Sequence, residues 1–121
     1  MSRGGFQGRV EKDQDTCYSF WCGASLRILH AHEFVNGMAD TQWIFSAKSS
    51  MGGFAKVPGE HPDVLHSYLS YVALAMHSEE NVQCLEGTLA SVSAALNLTR
   101  RSLAWIYTQL WQNHPSGAPL P

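Results

Sequence analysis

The chain has 121 residues, 45% of them apolar and 15% charged, ordinary values for a globular chain and enough for one domain or part of one. Eight Lys or Arg against ten Asp or Glu leave a net charge of −2, which excludes the broad basic field of a non-specific nucleic-acid binder, so no nucleic-acid partner is expected. No apolar run approaches the length of a membrane span and Met1-Ser2-Arg3-Gly4-Gly5 lacks the apolar core of a signal peptide, so the chain reads as cytoplasmic with free thiols at Cys17, Cys22 and Cys84.

The chain opens on a glycine turn, Gly4-Gly5-Phe6, followed by a polar loop carrying Arg9 and Lys12. Asp15 then stands where a side-chain oxygen can accept hydrogen bonds from the first amides of a helix. Downstream of it Trp21, Ala24, Ile28 and Leu29 follow helical spacing and predict the buried face. A shorter partner helix is predicted over 37–49, with Trp43, Ile44 and Ala47, ended by Ser49-Ser50.

The punctuation then repeats. Gly52-Gly53-Phe54 and Asp63 each stand 48 positions after Gly4-Gly5-Phe6 and Asp15, without a gap, and a period near that length signals a repeated supersecondary unit. The second loop carries Lys56, and Leu65, Tyr68, Leu69, Val72 and Met76 predict the apolar face of the second long helix. No segment sustains a period of two, so essentially no sheet is expected. Leu85 to Leu96 reads as a short helix, Thr99 as the cap of a last helix with Leu103, Ile106, Tyr107 and Leu110 on one side, and 113–121 as a disordered tail.

Asp15 and Cys17, two residues apart at a helix start, admit two readings. Asp15 is a helix cap beside a merely buried thiol, or the two are ligands of a metal centre that needs a third. The repeat favours the second, because His66 occupies the position equivalent to Tyr18, beside Cys17, and stacked units would bring the two helix starts together. A thiolate, an imidazole and a carboxylate suit zinc, and three protein ligands with one open position is the pattern of a catalytic site. Arg9, Lys12 and Lys56 lie in the flanking loops, where with the Tyr18 hydroxyl they could hold an anion. Cys22 and Cys84 read as small core residues.

Taken together, Gly5-Phe6-Gln7-Gly8-Arg9, Lys12, Asp15-Thr16-Cys17-Tyr18-Ser19-Phe20-Trp21, Gly52-Gly53-Phe54-Ala55-Lys56 and Pro62-Asp63-Val64-Leu65-His66-Ser67-Tyr68 resemble the C-terminal part of a protein prenyltransferase beta subunit. The resemblance is nearest to the type I geranylgeranyl class, covers residues 4 to 76, and continues more weakly around Ala94-Ala95-Leu96-Asn97. It implies an all-α fold, an incomplete C-terminal portion of an α/α toroid over 1–112, with repeats over about 4–49 and 52–97 and a terminal helix over about 99–112. It further implies one zinc ion held by Asp15, Cys17 and His66 as the catalytic centre, and an isoprenoid diphosphate contacted by Arg9, Lys12 and Tyr18.

In the related farnesyl enzymes the position of Lys56 is an Asp that helps to bind magnesium, so Lys56 implies that magnesium is not required; Leu65, where those enzymes have Tyr, points the same way. The implied activity is transfer of a geranylgeranyl group from geranylgeranyl diphosphate to the cysteine of CaaX-box proteins ending in Leu or Phe, in a heterodimer with an alpha subunit. The alternatives are a non-catalytic helical-repeat fragment that binds an alpha subunit, or a beta subunit of the farnesyl or Rab class. A toroid cut open should expose apolar helix faces, and the chain alone is not expected to turn over.

Overall fold

The computed structural model describes residues 4–77 and 89–112, without the side chains of 111 and 112. Among them run helices α1 (Thr16–Ile28), α2 (Gly37–Ser46), α3 (Val64–His77) and α4 (Arg100–Gln112), a 3-10 turn at His32–Phe34, and a pair of two-residue strands, β1 (Val92–Ser93) and β2 (Leu98–Thr99). Each α-helix starts at a side chain that satisfies an orphan amide. Asp15 accepts from the Cys17 amide, Asn36 from Ala39, Asp63 from His66 and Thr99 from Ser102.

The sequence repeat is also a structural one. The Asp15 amide donates to the Phe6 carbonyl at 3.2 Å, and 48 positions on the Asp63 amide donates to the Phe54 carbonyl at 3.3 Å. Gly5 and Gly53 both take positive φ, +92° and +75°, a conformation that a side chain would strain. At the join, the first helix rests on the second loop: the Thr16 hydroxyl donates to the Ala55 carbonyl at 2.8 Å and its amide to the Lys56 carbonyl at 3.0 Å. The loop that carries Lys56 is thereby fixed beside Asp15.

The core forms where α1, α2 and α3 pack on one another, around Phe20, Ile44, Phe54, Leu69, Leu74 and Met76. Phe54, 1% exposed, meets the rings of Phe45 and Tyr71 with centroids 6.2 and 5.1 Å away, and anchors the second glycine loop to the helices. Burying such a side chain contributes about 1.5–3 kcal/mol, so this one ring does much to hold the loop in place.

Three expectations are corrected. Thr16, Cys17, Ser19, Phe20, Gly23 and Ala24 form the buried stripe of α1, while Trp21, Ile28 and Leu29 lie exposed. Apolar periodicity misplaced this face because two of its members are hydroxyl residues whose hydrogen bonds are made inside the protein. On α3, Leu69, Val72 and Met76 are buried as expected, but Leu65 and Tyr68 are exposed. The short helix expected over 85–96 is absent from its described residues, 89–96, where β1 lies and pairs antiparallel with β2 just beyond; with two strands of two residues each, the described residues still hold essentially no sheet, as expected.

The reason for the hairpin is Asn97. It takes a left-handed backbone, φ +52°, donates its amide to the Ser93 carbonyl at 2.8 Å, and reaches the Tyr68 hydroxyl through Nδ2 at 2.8 Å. Residues 85–88, Cys84 and the tail 113–121 lie outside the described residues. Among the described residues no helix is long and apolar enough to cross a membrane.

Candidate metal centre

Asp15, which caps α1, and Cys17, in its first turn, enter the site from one side and His66 from the first turn of α3. One ligand atom from each, all within 4.8 Å of one another, forms a cluster of a carboxylate, a thiol and an imidazole. His66 Nε2 lies 3.3 Å from Asp15 Oδ1. Bond lengths near 2.0–2.3 Å place the ligands of a tetrahedral zinc roughly 3.5 Å apart, so the donor set and its spacing fit that ion with small closing movements.

The third side chain is oriented from behind. His66 Nδ1 lies 2.6 Å from Asp63 Oδ2, and the other Asp63 oxygen accepts the His66 backbone amide at 2.9 Å. With Nδ1 donating to that carboxylate, the lone pair of Nε2 is the one that faces Asp15 and Cys17. These contacts, the backbone amide first and the ring second, hold the Asp63 carboxyl below its usual range. The sequence alone marks Asp63 only as a helix cap; the signal for its contact with the ring is its spacing three residues before a candidate ligand.

Electrostatics in the cluster run against an isolated thiolate. Burial, then a hydrogen bond and repulsion from Asp15, push the Cys17 thiol up to about 12, while Lys56 acts in the opposite sense. A cation between the two side chains reverses the sign of that interaction, and a thiolate ligand forms only with it.

A cleft of about 530 Å³ opens directly beside the cluster. Arg9, Lys12, Tyr18 and Lys56 all line it, together with Asp15, and the acids Asp13 and Glu60 sit in the same wall. Arg9, Lys12 and Lys56 are exposed, so their charges reach solvent and an incoming anion alike. Gly8 gives the tyrosine its place, since a Cβ there would stand 2.2 Å from Tyr18 Cζ. All seven residues singled out in the sequence thus lie in one cluster or in the cleft that adjoins it. Cys22, by contrast, is half-buried, and burial followed by Asp40 raises its thiol.

Comparison with known proteins gives a consistent picture. The family described as "Prenyltransferase alpha-alpha toroid domain" matches residues 1–98. The geranylgeranyl transferase type-1 beta subunit of Arabidopsis thaliana is 43% identical over 82 residues, 68% of this chain and 22% of that protein. That of Dictyostelium discoideum is 41% identical over 99 residues, 81% of this chain and 26% of that protein. The type-2 beta subunit of Saccharomyces cerevisiae is 29% identical over 83 residues, 68% of this chain and 26% of that protein. Among solved structures, Candida albicans protein geranylgeranyltransferase-I complexed with GGPP superposes with a TM-score of 0.72 at 30% identity, covering 88% of this chain and 29% of that one. The chain spans about a quarter of the length of these relatives.

Proposed function

Because the chain belongs to the prenyltransferase alpha-alpha toroid family, we propose that it carries the zinc centre and the diphosphate cleft of a type I protein geranylgeranyltransferase beta subunit. The observation that supports this most is the meeting of Asp15, Cys17 and His66 at the edge of a cleft lined by Arg9, Lys12, Tyr18 and Lys56. One cluster suits a soft, thiol-binding metal and the other a polyanion. A reaction that moves an isoprenoid from its diphosphate to a cysteine sulfur can use both.

In this reading Asp15, Cys17 and His66 would hold zinc beside the place where the cysteine of a CaaX box ending in Leu or Phe would bind. When bound, zinc lowers the pKa of that thiol so that a thiolate is present near neutral pH. Asp63 keeps the His66 ring turned toward the metal. Arg9, Lys12, Tyr18 and Lys56 bind the diphosphate of geranylgeranyl diphosphate and stabilise the charge that develops on it as sulfur bonds to C1 and the C–O bond breaks. Lys56 supplies fixed positive charge at the place where a magnesium ion would otherwise neutralise the leaving group, so magnesium is not required.

The reading includes a cytoplasmic heterodimer with an alpha subunit and the remaining units of a ring. A second reading is favoured by the exposed apolar side chains of Trp21, Ile28 and Leu65, which a partner must cover: a helical-repeat segment that binds an alpha subunit without catalysing. The test is transfer of labelled geranylgeranyl to a CaaX peptide ending in Leu, with alpha subunit added, for the wild type and Cys17→Ser. Transfer lost in the variant supports the catalytic reading. Absence of transfer in a wild type that binds zinc supports the second, and preference for a farnesyl donor would overturn the type I assignment.

A further inference from the structure

Away from the cluster and the cleft, three buried polar side chains join the helices that carry the candidate ligands. Ser19 of α1 donates through Oγ to Asp40 Oδ1 of α2 at 2.8 Å, and His77 Nε2 of α3 lies 2.7 Å from Asp40 Oδ2. None of the three is more than 4% exposed. One carboxylate near the start of α2 thus ties α1 to α3, and a buried carboxylate is tolerated only when it is paired in this way.

The location of this tie gives it a consequence. Ser19 stands two residues after Cys17, and His77 ends the helix whose first turn bears His66. Apart from Phe20, the buried stripe of α1 consists of small side chains, Thr16, Ser19, Gly23 and Ala24 among them, which let α1 lie close to α3 but offer few bulky ridges to lock its rotation. A directional hydrogen-bonded tie between α1 and α3 therefore adds a restraint on the rotation of α1 that small side chains supply less strongly. The Thr16 hydroxyl is held by the Ala55 carbonyl of the glycine loop, which Ser67 in turn ties to the first turn of α3; that contact fixes the start of α1, and the Ser19 tie lies about one turn further on. A rotation of about 20° would carry a donor atom some 5 Å from the axis by nearly 2 Å, whereas metal–ligand distances tolerate about 0.2 Å.

We propose that Ser19, Asp40 and His77 form a positioning chain for the metal centre, fixing the rotation of α1 against α3 so that Asp15 and Cys17 meet His66. This rests on the metal reading given above. The three act through the helices and touch neither metal nor substrate. Under the 48-residue repeat Ser67 is the counterpart of Ser19, yet its hydroxyl binds the Phe54 backbone amide and carbonyl, so the two serines hold different structures.

The experiment uses cobalt(II) as the probe, added to the full chain, with the thiolate-to-cobalt charge-transfer band and the visible d–d bands reporting ligand geometry. Ser19→Ala and His77→Leu should retain their circular dichroism yet bind cobalt at least tenfold more weakly, with weaker charge-transfer and altered d–d bands. His77→Gln, whose side-chain amide can still donate to Asp40, should restore both. Ser70→Ala removes another fully buried hydroxyl, one with no hydrogen-bond partner among the described residues, and should leave affinity and spectrum unchanged.

Wild-type affinity and spectrum in Ser19→Ala and His77→Leu would overturn the proposal, and so would an equal loss in Ser70→Ala, which would mark general destabilisation. If His77→Leu does not fold, Ser19→Ala decides, since it deletes a single oxygen. A wild type that takes up no cobalt overturns the metal reading itself, and the positioning chain with it.

Discussion

His66 is held between two carboxylates, with Nδ1 2.6 Å from Asp63 Oδ2 and Nε2 3.3 Å from Asp15 Oδ1. The two contacts differ in kind. Asp63 also accepts the backbone amide of His66, so its position is set by the helix start, while Asp15 belongs to the other repeat and faces the ring across the cluster.

Asp63→Asn separates these roles. Asparagine still caps a helix, so the helical content of α3 should not change, but it presents no charge to the ring nitrogen. Loss of such a partner weakens metal affinity about 10- to 100-fold. Competition against a chromophoric chelator measures the change, and an affinity equal to that of the wild type would remove Asp63 from the centre.

Lys56 reaches the cleft from a loop whose carbonyl is pinned by the Thr16 amide, so its truncation should leave the backbone in place. Hydrogen bonds to charged groups contribute about 1.5–3 kcal/mol, and exposure brings the effect to the lower end of that range. Lys56→Ala is therefore expected to bind inorganic diphosphate roughly tenfold more weakly at low salt. The difference from wild type should shrink as salt rises, because the ammonium is open to screening. Isothermal titration at two ionic strengths checks both statements; equal affinities at low salt would mean that Lys56 does not meet the anion.

The placement of the candidate site was more legible in the sequence than the packing that supports it, and the reason is physical. Asp15, Cys17 and His66 could be related through a repeat with strong local punctuation, two glycine turns and two capping aspartates, each of which leaves a mark in the residues themselves. What could not be read were features that depend on partners far along the chain. Ser19 and Thr16 read as ordinary hydroxyls until Asp40 and the Ala55 carbonyl are seen to receive them. Trp21 and Ile28 read as core because their spacing is helical, although the stripe that is buried runs through smaller residues. Asn97 turned an expected helix into a hairpin through a single left-handed residue, and the side chain that it reaches, Tyr68, lies 29 positions away.

Gly8 offers a test of the tyrosine in the cleft. A methyl group at this position would meet the Tyr18 ring at 2.2 Å, and the ring is the part that can yield. Gly8→Ala should then cost no more than about 1 kcal/mol of stability while moving the hydroxyl out of the cleft. Its diphosphate affinity should match that of Tyr18→Phe, and its zinc affinity should stay at the wild-type value. A Gly8→Ala protein that binds diphosphate normally while Tyr18→Phe does not would show that the ring accommodates the methyl group in place.

Removal of metal should lower stability, because the candidate ligands lie on two helices from two repeats and an ion between them links the repeats in the folded state alone. A ligand present at 100 times its dissociation constant stabilises by about 2.7 kcal/mol when it binds only the native chain. For a chain of this size that corresponds to a rise in Tm of about 10 °C. Zinc-loaded wild type should therefore melt about that much above the chelator-treated protein. Cys17→Ser should melt at nearly the same temperature with or without zinc, because a serine hydroxyl does not deprotonate to replace the thiolate. Asp63→Asn should fall between them, its weaker affinity leaving a smaller shift at the same zinc concentration. Differential scanning calorimetry of the three proteins, each with zinc and with chelator, gives six melting temperatures. A zinc-dependent shift in Cys17→Ser as large as that of the wild type would place the metal elsewhere on the chain.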